Sequence, residues 1–189
     1  MKKNCLCIIP ARAGSKGVKN KNFKLLNGKP LIQYTIDLAN RIGTHCDIVL
    51  SSDNKKIKQI CKKNKLEFFG FRPKRLSGDF IETIDVVRYE LRKIEKLKKK
   101  KYKKILLLQP TCPIRSKKKI FKALSVLEKK KYESVISVCE VGSFHPYRMK
   151  VFKKDKIVNF IKVNKENMKP RQKLPKIYIR SGSIYASKR

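Results

Sequence analysis

Residues 4–22 read NCLCIIPARAGSKGVKNKN, and this stretch indicates both the type of sheet and the place of a ligand. The apolar run that ends at Ile9 is typical of a strand that is buried on both faces. A loop with two glycines, one arginine and three lysines follows Pro10. Glycines let a backbone approach a ligand closely, and unpaired cations attract an anion. The stretch therefore predicts a buried strand followed by a phosphate-binding loop.

Predicted strands and helices alternate over the first two-thirds of the chain. Further strands are predicted at residues 46–52, 66–71, 104–109 and 134–141. Apolar residues at helical spacing predict helices that begin at Pro30 and that carry Ile57, Ile84 and Ile120, with Ser52 or Asp53 as the cap of the second. This alternation favours a three-layer α/β domain with a largely parallel sheet. In such sheets ligands bind beyond the carboxyl ends of the strands, where the loops at 10–29, 51–54, 70–80 and 109–116 would converge.

The pattern changes after residue 141. Residues 148–162 read RMKVFKKDKIVNFIK, which predicts a hairpin with a polar four-residue turn at 153–156. One or two strands are expected after Leu174. Because no repeat and no linker divides the chain, we expect a single domain over residues 1–189, with the hairpin region at about 144–173.

The charge balance requires a nucleic-acid partner to be considered. Lys plus Arg number 50 against 14 Asp plus Glu, a formal charge of +36. The longest basic run, KLKKKKYKK at 96–104, holds one tyrosine and lacks the interleaved aromatic residues of stacking platforms. We therefore favour a solvated basic surface over a dedicated nucleic-acid site, with non-specific adhesion at most.

Other functional classes are disfavoured by composition. The chain has no apolar run of about 18 residues, so no membrane span is expected. The apolar part of the N-terminus is too short for a signal peptide. The six cysteines contain no C-x-x-C pair, which favours buried thiols in a reducing cytoplasm over zinc or disulfides.

The basic loop does not match the common phosphate-binding motifs. It lacks the G-x-x-x-x-G-K-[ST] spacing of a Walker A motif and the G-x-G-x-x-G spacing of a dinucleotide fingerprint. About a dozen residues separate Gly17 from Pro30, so a helix N-terminus does not follow the glycines directly. Loop amides and long cations would hold the phosphates, namely Arg12, Lys16, Lys19 and Lys21. An ordinary flexible basic loop is the alternative.

Six segments in order extend the argument to the whole chain: IPARAGSKGVKNKN, GKPLIQYTI, RPKRLSGDFIETIDVV, LLLQPTCPIR, SVCEVGSFHPYRMK and RQKLPKIYIRSGSIY. Together they resemble the acylneuraminate cytidylyltransferases, the CMP-sialic acid synthetase family. The resemblance implies a Rossmann-like nucleotide-diphospho-sugar transferase fold with a β-hairpin dimerisation insertion. It also implies a cytoplasmic, Mg²⁺-dependent homodimer that activates a nine-carbon 2-keto acid sugar with CTP for cell-surface polysaccharide biosynthesis.

The resemblance also assigns roles to residues of this chain. Arg12, Lys16 and Lys21 would be catalytic by neutralising the triphosphate. The nucleotide-binding set would be Arg12, Ala13, Gly14, Ser15, Lys16, Lys21, Asn22, Arg72, Ser77 and Asp79. The sugar-binding set would be Gln109, Thr111, Arg171 and Tyr178, with Arg171 facing the sugar carboxylate through its two-pronged guanidinium.

The chain departs from the family pattern at three places. Cys112 stands where the family usually has serine, and Ser181 stands where it usually has asparagine. The metal-binding aspartates of the family lie in a segment with no counterpart before Arg189, so no protein metal ligand is assigned. We therefore expect a truncated chain that binds CTP but turns over slowly or not at all. A legionaminic or pseudaminic acid cytidylyltransferase, a catalytically silent remnant and a basic nucleic-acid-binding protein remain alternatives.

Overall fold

The fold is built on a five-stranded sheet in a computed structural model that describes residues 3–14, 17–129, 132–162 and 169–189. Its strands, in spatial order, are β4 (Cys46–Ser51), β1 (Cys5–Pro10), β5 (Lys104–Leu107), β9 (Tyr178–Lys188) and β6 (Ser134–Glu140). β1 pairs in parallel with β4 and β5, whereas β5 pairs antiparallel with β9. The helices are α1 (Leu31–Asn40), α2 (Lys56–Lys63), α3 (Thr83–Leu97) and α4 (Lys117–Lys129). The expected α/β class with a mainly parallel, mixed sheet is confirmed.

The alternation of side chains along β1 produces the three layers. Cys5, Cys7 and Ile9 point into one core with residues of α1, α2 and α4. Leu6 and Ile8 point into a second core with residues of α3. Because successive side chains of a strand face opposite sides, a strand covered on both faces must be apolar throughout. This is the pattern that the sequence shows.

The described chain divides into two compact units. The first comprises Met1–Ser137 and Gly182–Arg189, and the second comprises Val138–Ser181. The first unit contains the cores, the helices and a short antiparallel pair formed by β2 (Leu25–Leu26) and β3 (Lys29–Pro30). The second unit contains the antiparallel hairpin of β7 (Lys150–Lys153) and β8 (Lys156–Asn159).

The hairpin turn is shorter than predicted. Lys153 pairs with Lys156, so that Lys154 and Asp155 alone form the turn. Lys154 adopts a φ of 53°, in the left-handed region that two-residue hairpin turns require. The prediction of a four-residue turn is therefore wrong.

The predicted strand at residues 66–71 is also wrong. This segment has no strand assignment; left-handed backbone precedes it at Lys65 (φ 53°) and interrupts it at Gly70 (φ 90°). Phe68 packs against one core and Phe69 against the other. The side chains of Phe68 and Phe69 therefore extend the two cores, although their backbone does not pair with a strand of the sheet.

Helix α1 buries Ile32 and Ile36 completely, whereas Leu31 and Tyr34 are half-buried. The Tyr34 hydroxyl donates to the carbonyl of Leu26 at 2.7 Å and holds the β2–β3 pair. None of the helices in the described part of the chain is long and apolar enough to cross a membrane.

All six cysteines are thiols in the structure. Cys5, Cys7, Cys46 and Cys61 are buried, Cys112 is half-buried and Cys139 is exposed. Burial raises the pKa of Cys61 to about 11, so this thiol stays protonated and packs as a small apolar side chain.

Candidate functional site

A cleft of about 490 Å³ opens in the first unit, where β1 and β5 end. Three of the four loops predicted to converge contribute to its wall. The lining residues are Pro10, Arg12, Gly17, Lys21, Asn22, Arg72, Leu76, Gly78, Asp79, Ile81, Thr83, Val86, Gln109, Pro110 and Thr111. Because the carboxyl ends of neighbouring parallel strands meet at one edge of the sheet, residues distant in sequence share this cleft.

The first segment of the basic loop is tied to the end of β4. The amide of Ala11 donates to the Ser51 carbonyl at 2.8 Å, and the Ser52 hydroxyl donates to the Ala11 carbonyl at 2.5 Å. The amide of Ala13 donates to Asp53 Oδ1 at 2.8 Å. The prediction that Ser52 or Asp53 caps α2 is wrong, because both side chains anchor the loop, and Asn54 accepts from the amide of Lys56 instead.

Asn22 holds the returning part of the basic loop. Its buried side-chain amide donates to the Arg12 carbonyl at 3.2 Å. Lys21 and Asn22 lie on a 3₁₀ turn over Lys21–Phe23, entered through Asn20 at a φ of 55°. The turn places Asn22 inward and Lys21 on the cleft wall.

Arg12 is engaged by an acidic residue. Its Nη1 lies 2.6 Å from Asp79 Oδ1 and 3.5 Å from the Ser77 carbonyl oxygen. Both side chains of the ion pair are about one-third exposed, at 31% and 32%. Such a partly exposed pair contributes little stability, so an anionic ligand can replace the carboxylate at small cost.

Arg72 is the most unusual residue of the cleft. It is only 4% exposed, and its Nε and Nη2 atoms have no hydrogen-bond partner among the described residues. Nη2 lies 3.9 Å from Asp53 Oδ1, too far for a hydrogen bond. Burial lowers the pKa of Arg72, while the charges of Asp53 and Glu90 oppose that shift.

Unsatisfied buried donors are costly in a folded protein and require an explanation. In Arg72 these donors belong to a planar fork that suits paired acceptors, and the residue lines the cleft. The arrangement is therefore suited to bind a ligand that brings oxygen or nitrogen acceptors into the cleft.

The segment after β5 supplies a neutral wall. Gln109, Pro110 and Thr111 line the cleft. The segment lies against β9 at Gly182, which adopts a φ of +72°, since a Cβ there would lie 3.4 Å from Cys112 Sγ and 3.7 Å from Gln109 Oε1. Amide and hydroxyl groups on this wall can recognise uncharged polar groups of a ligand.

The structure brings together only part of the residues predicted from the sequence. The cleft contains Arg12, Lys21, Asn22, Arg72, Asp79, Gln109 and Thr111. Ser77 contributes its carbonyl beside Arg12, Ala13 is held by Asp53, and Gly14 is exposed. Ser15 and Lys16 lie outside the described residues.

Arg171 and Tyr178 belong to the second unit. Arg171 begins a 3₁₀ turn over Arg171–Lys173, with its Nη1 3.9 Å from the position that a Cβ on Gly142 would take. Tyr178 is the first residue of β9 and is 54% exposed.

Sequence reasoning missed Arg115. This residue donates to three elements of the first unit: to the Ser183 carbonyl, to the Thr35 hydroxyl and to the Gln109 carbonyl. One indication was present, since residues 105–125 contain no Asp or Glu. An arginine directly after a core strand with no acidic neighbour in sequence must find backbone or distant partners.

The described residues do not form a protein metal site. No group of three or more His, Cys, Asp or Glu side chains is close enough to hold an ion within the described ranges. Two carboxylates pair with cations of the cleft. Asp79 faces Arg12, and Asp53 faces Arg72. Mg²⁺ prefers carboxylate and phosphate oxygens, so a neighbouring guanidinium competes with the ion for each of these carboxylates.

Comparison with solved structures gives the same fold at low sequence identity. A CMP:2-keto-3-deoxy-manno-octonic acid synthetase complexed with CTP matches with a TM-score of 0.66 at 16% identity, over 97% of this chain and 73% of that one. A 4-diphosphocytidyl-2C-methyl-D-erythritol synthase from Anaerococcus prevotii matches with a TM-score of 0.58 at 18% identity, over 98% of this chain and 71% of that one.

Sequence relatives are closer. Post-translational flagellin modification protein B of Campylobacter coli is 33% identical over 97% of this chain and 77% of its own length. An N-acylneuraminate cytidylyltransferase of Streptococcus agalactiae is 32% identical over 96% of this chain. A CMP-N,N'-diacetyllegionaminic acid synthase of Legionella pneumophila is 36% identical over 72% of this chain.

The extent of these matches differs between relatives. The chain spans 43% of the streptococcal protein and 58% of the Legionella protein. The family model described as "Cytidylyltransferase" matches residues 6–186, which include both cleft walls. With that match and the Campylobacter relative, the chain belongs to the cytidylyltransferase family.

Proposed function

We propose that this chain is a nucleotidyltransferase that couples CTP to a nine-carbon 2-keto acid sugar of the sialic acid type. The anomeric hydroxyl would attack the α-phosphorus of CTP, and pyrophosphate would leave as the CMP-sugar forms. The observation that carries the nucleotide part is a cleft lined by three cations, Arg12, Lys21 and Arg72, of which Arg72 is buried with two unpartnered donors. The relatives' names support the cytidylyl donor and the acid-sugar acceptor.

The cations of the cleft would stabilise the transferring phosphate group. Phosphoryl-type transfer depends mainly on positioning and on neutralising developing charge. Arg12 would exchange Asp79 for the triphosphate, and Lys21 lies on the same wall. We assign Arg72 to the acceptor atoms of the cytosine, since burial fixes the position of its guanidinium. Lys16 remains a candidate from the sequence alone.

We propose that the reaction requires Mg²⁺, because the sequence resembles the Mg²⁺-dependent acylneuraminate cytidylyltransferases. When bound, it would supply further charge neutralisation at the triphosphate. Because the described residues do not form its ligand set, no step is assigned through the ion.

The sugar would occupy the neutral wall of the cleft. Gln109 and Thr111 offer amide and hydroxyl groups there, which suit sugar hydroxyls better than phosphates. Arg171 and Tyr178 of the second unit are retained as proposed sugar contacts. The acceptor is proposed as N-acetylneuraminate, with legionaminate or pseudaminate as the alternative, and the product would serve cell-surface polysaccharide synthesis. The proposed compartment is the cytoplasm, where thiols stay reduced.

The test combines binding and turnover. Calorimetric titration should show saturable CTP binding with a clear preference over ATP. Pyrophosphate release should then be measured with CTP, Mg²⁺ and each of the three acids. Equal binding of CTP and ATP would contradict the cytidylyl assignment. Release with none of the acids would contradict the acceptor assignment or show that this chain is catalytically silent, and retained CTP preference would still support the cytidylyl assignment.

The same preparation tests the nucleic-acid alternative. Adhesion driven by the +36 charge should weaken steeply with salt, because it depends on counterion release. Titration with duplex and single-stranded DNA and RNA at several salt concentrations measures this slope. Tight binding that selects a sequence at physiological salt would favour the alternative function.

We also propose that the chain forms a homodimer through the second unit. Its hairpin exposes Phe152 at 80% and Ile157 at 61%, and nearby chain exposes Phe144 at 79%. An apolar patch of this kind is typical of an interface. Light scattering at micromolar concentration should give twice the chain mass for the wild type and the chain mass for Phe152→Asp. Leu97→Asp, at an exposed leucine of α3, is the matched control and should remain dimeric.

A further inference from the structure

Arg115 joins three parts of the first unit that are distant in sequence. Its Nε donates to the Ser183 carbonyl of β9 at 2.7 Å, and its Nη1 donates to the Thr35 hydroxyl of α1 at 2.9 Å. Its Nη2 donates to the Gln109 carbonyl. The planar guanidinium can reach three acceptors in fixed directions, which a lysine ammonium cannot reproduce.

The Gln109 carbonyl is the central acceptor of this arrangement. It accepts from Arg115 and also from the amide of Cys112 at 3.2 Å, so one oxygen closes the turn over residues 109–112. The side chains of Gln109 and Thr111 project from this turn onto the cleft wall. The direction of both side chains therefore depends on where Arg115 holds the carbonyl.

Arg115 is half-buried and has no carboxylate partner among the described residues. Burial lowers the pKa of its guanidinium, while the Cys112 and Cys7 thiols oppose that shift. No salt bridge to Arg115 is found among the described residues, which fits the absence of acidic residues at 105–125. The charge is held by backbone and hydroxyl oxygens, an arrangement that orients a loop but adds little net stability.

We propose that Arg115 is a positioning residue for the acceptor side of the cleft. It orders the turn over residues 109–112, and through it the amide of Gln109 and the hydroxyl of Thr111, which bind uncharged polar groups of the acceptor. The nucleotide side, formed by Arg12, Lys21 and Arg72, is held by separate contacts. This inference rests on the proposed function for the identity of the acceptor.

The experiment uses Arg115→Met, which keeps bulk but removes every donor, and Arg115→Lys, which keeps the charge. Cys112 lies within the turn and is half-buried, whereas Cys139 is exposed. Alkylation by iodoacetamide, followed at each cysteine by peptide mass spectrometry, therefore reports the order of the turn without any substrate. Arg92→Met, at an exposed position on α3, is the matched control.

For Arg115→Met we expect alkylation of Cys112 relative to Cys139 to rise about fivefold or more, because local opening exposes the thiol. The KM for the acceptor acid should rise about tenfold, while the affinity for CTP should stay within about twofold. Arg115→Lys should lie between wild type and Arg115→Met, and Arg92→Met should match the wild type. This split between acceptor and nucleotide separates positioning from general loss of structure.

Unchanged alkylation of Cys112 in Arg115→Met, or CTP affinity that falls in parallel with the acceptor KM, would overturn the proposal. If Arg115→Met does not fold, Thr35→Val removes one of the three acceptors and should give a smaller change of the same kind. If the wild type turns over none of the acids, either the acceptor assignment is wrong or the chain is catalytically silent, but the alkylation and CTP measurements still decide the role of Arg115.

Discussion

Buried charged residues at the two ends of the sheet differ in how fully they are hydrogen-bonded. At the amino end, Glu95 of α3 accepts from the amide of Tyr102 at 3.0 Å and from Arg189 Nε and Nη2 at 2.9 and 3.0 Å. At the carboxyl end, buried Arg72 leaves two donors without partners. The amino end therefore pairs its buried charge fully, whereas the carboxyl end leaves two buried donors of Arg72 whose acceptors a ligand would have to supply.

The pKa values reflect the same contrast. Although burial acts to raise it, the hydrogen bonds from Arg189, the Tyr102 amide and Lys101 lower the pKa of Glu95 to about 2. Burial, and to a smaller extent the positive charge of Arg12, lowers the pKa of Arg72 against the charges of Asp53 and Glu90. A matched charge is favoured in the folded state, and an unmatched charge is tolerated at a cost.

The largest effect is expected for Arg72→Met. Removing the two free donors should weaken CTP binding about 100-fold, since hydrogen bonds to charged groups contribute roughly 1.5–3 kcal/mol. Thermal stability should change little, because the loss of two buried donors without hydrogen-bond partners offsets the loss of a charge that lies 3.9 Å from Asp53. Calorimetry and thermal unfolding measure the two quantities.

Arg75→Met is the control for this experiment. Arg75 is exposed on the neighbouring 3₁₀ turn over Lys74–Leu76, so CTP affinity should stay within about twofold. A loss of several kcal/mol of stability in Arg72→Met, with CTP affinity retained, would place Arg72 among the stabilising charges and remove the contrast.

For Glu95→Gln we expect the opposite of the result for Arg72→Met, namely a loss of stability without a loss of CTP affinity. The free energy of unfolding at neutral pH should fall by about 2 kcal/mol, because a buried charged acceptor is lost. CTP affinity should not change. Denaturant unfolding measures the first quantity, and Glu67→Gln, which breaks the exposed pair with Lys98, should cost less than about 1 kcal/mol.

The pH dependence of Glu95 has a definite sign. A carboxyl whose pKa is lowered on folding stabilises the protein above its unfolded value and loses that contribution as the pH falls. The window runs from the ordinary value of 4.5 down to about 2. Stability of the wild type should fall through this window, and Glu95→Gln should show a shallower fall. Parallel pH curves for the two proteins would contradict the assignment.

The smallest effect is expected for Asp79→Asn. Releasing Arg12 from its ion pair at 2.6 Å should strengthen CTP binding by about threefold to fivefold, the range of a partly exposed pair. Calorimetry at low and moderate salt measures it, and Asp85→Asn, whose exposed carboxylate faces Arg88, is the control. Weaker binding would mean that the Asp79 carboxylate itself contacts the nucleotide.

Much of the fold follows from local patterns. The apolar run that forms β1 required cover on both faces, and the structure places helices there. Helices α3 and α4 appear where apolar residues recur at helical spacing. The resemblance also gave the family correctly, because collinear motifs carry information that composition does not.

Local patterns failed where partners are distant. Residues 66–71 have strand composition, yet their phenylalanines fill gaps on the two faces of the sheet, and no strand forms. Asp53 is of a residue type that often caps helices, yet its carboxylate accepts from the amide of Ala13, which is 40 residues away in the sequence. Local propensity is a weak preference that tertiary packing overrides.

The sequence by itself determined the three-layer α/β class, the basic loop and the family, because side-chain period and motif order are local properties. Two features were decided only by the tertiary structure. Arg72 is buried with two donors that lack hydrogen-bond partners, and Arg115 holds the turn over residues 109–112. The contacts of Arg115 depend on oxygen atoms brought close by strand pairing, including that of β9 with β5, and the burial of Arg72 depends on its loop lying against the end of β4, where its amide donates to the Ser52 carbonyl. The positions of such partners are set by the packing of the whole unit, and no short stretch of sequence encodes them.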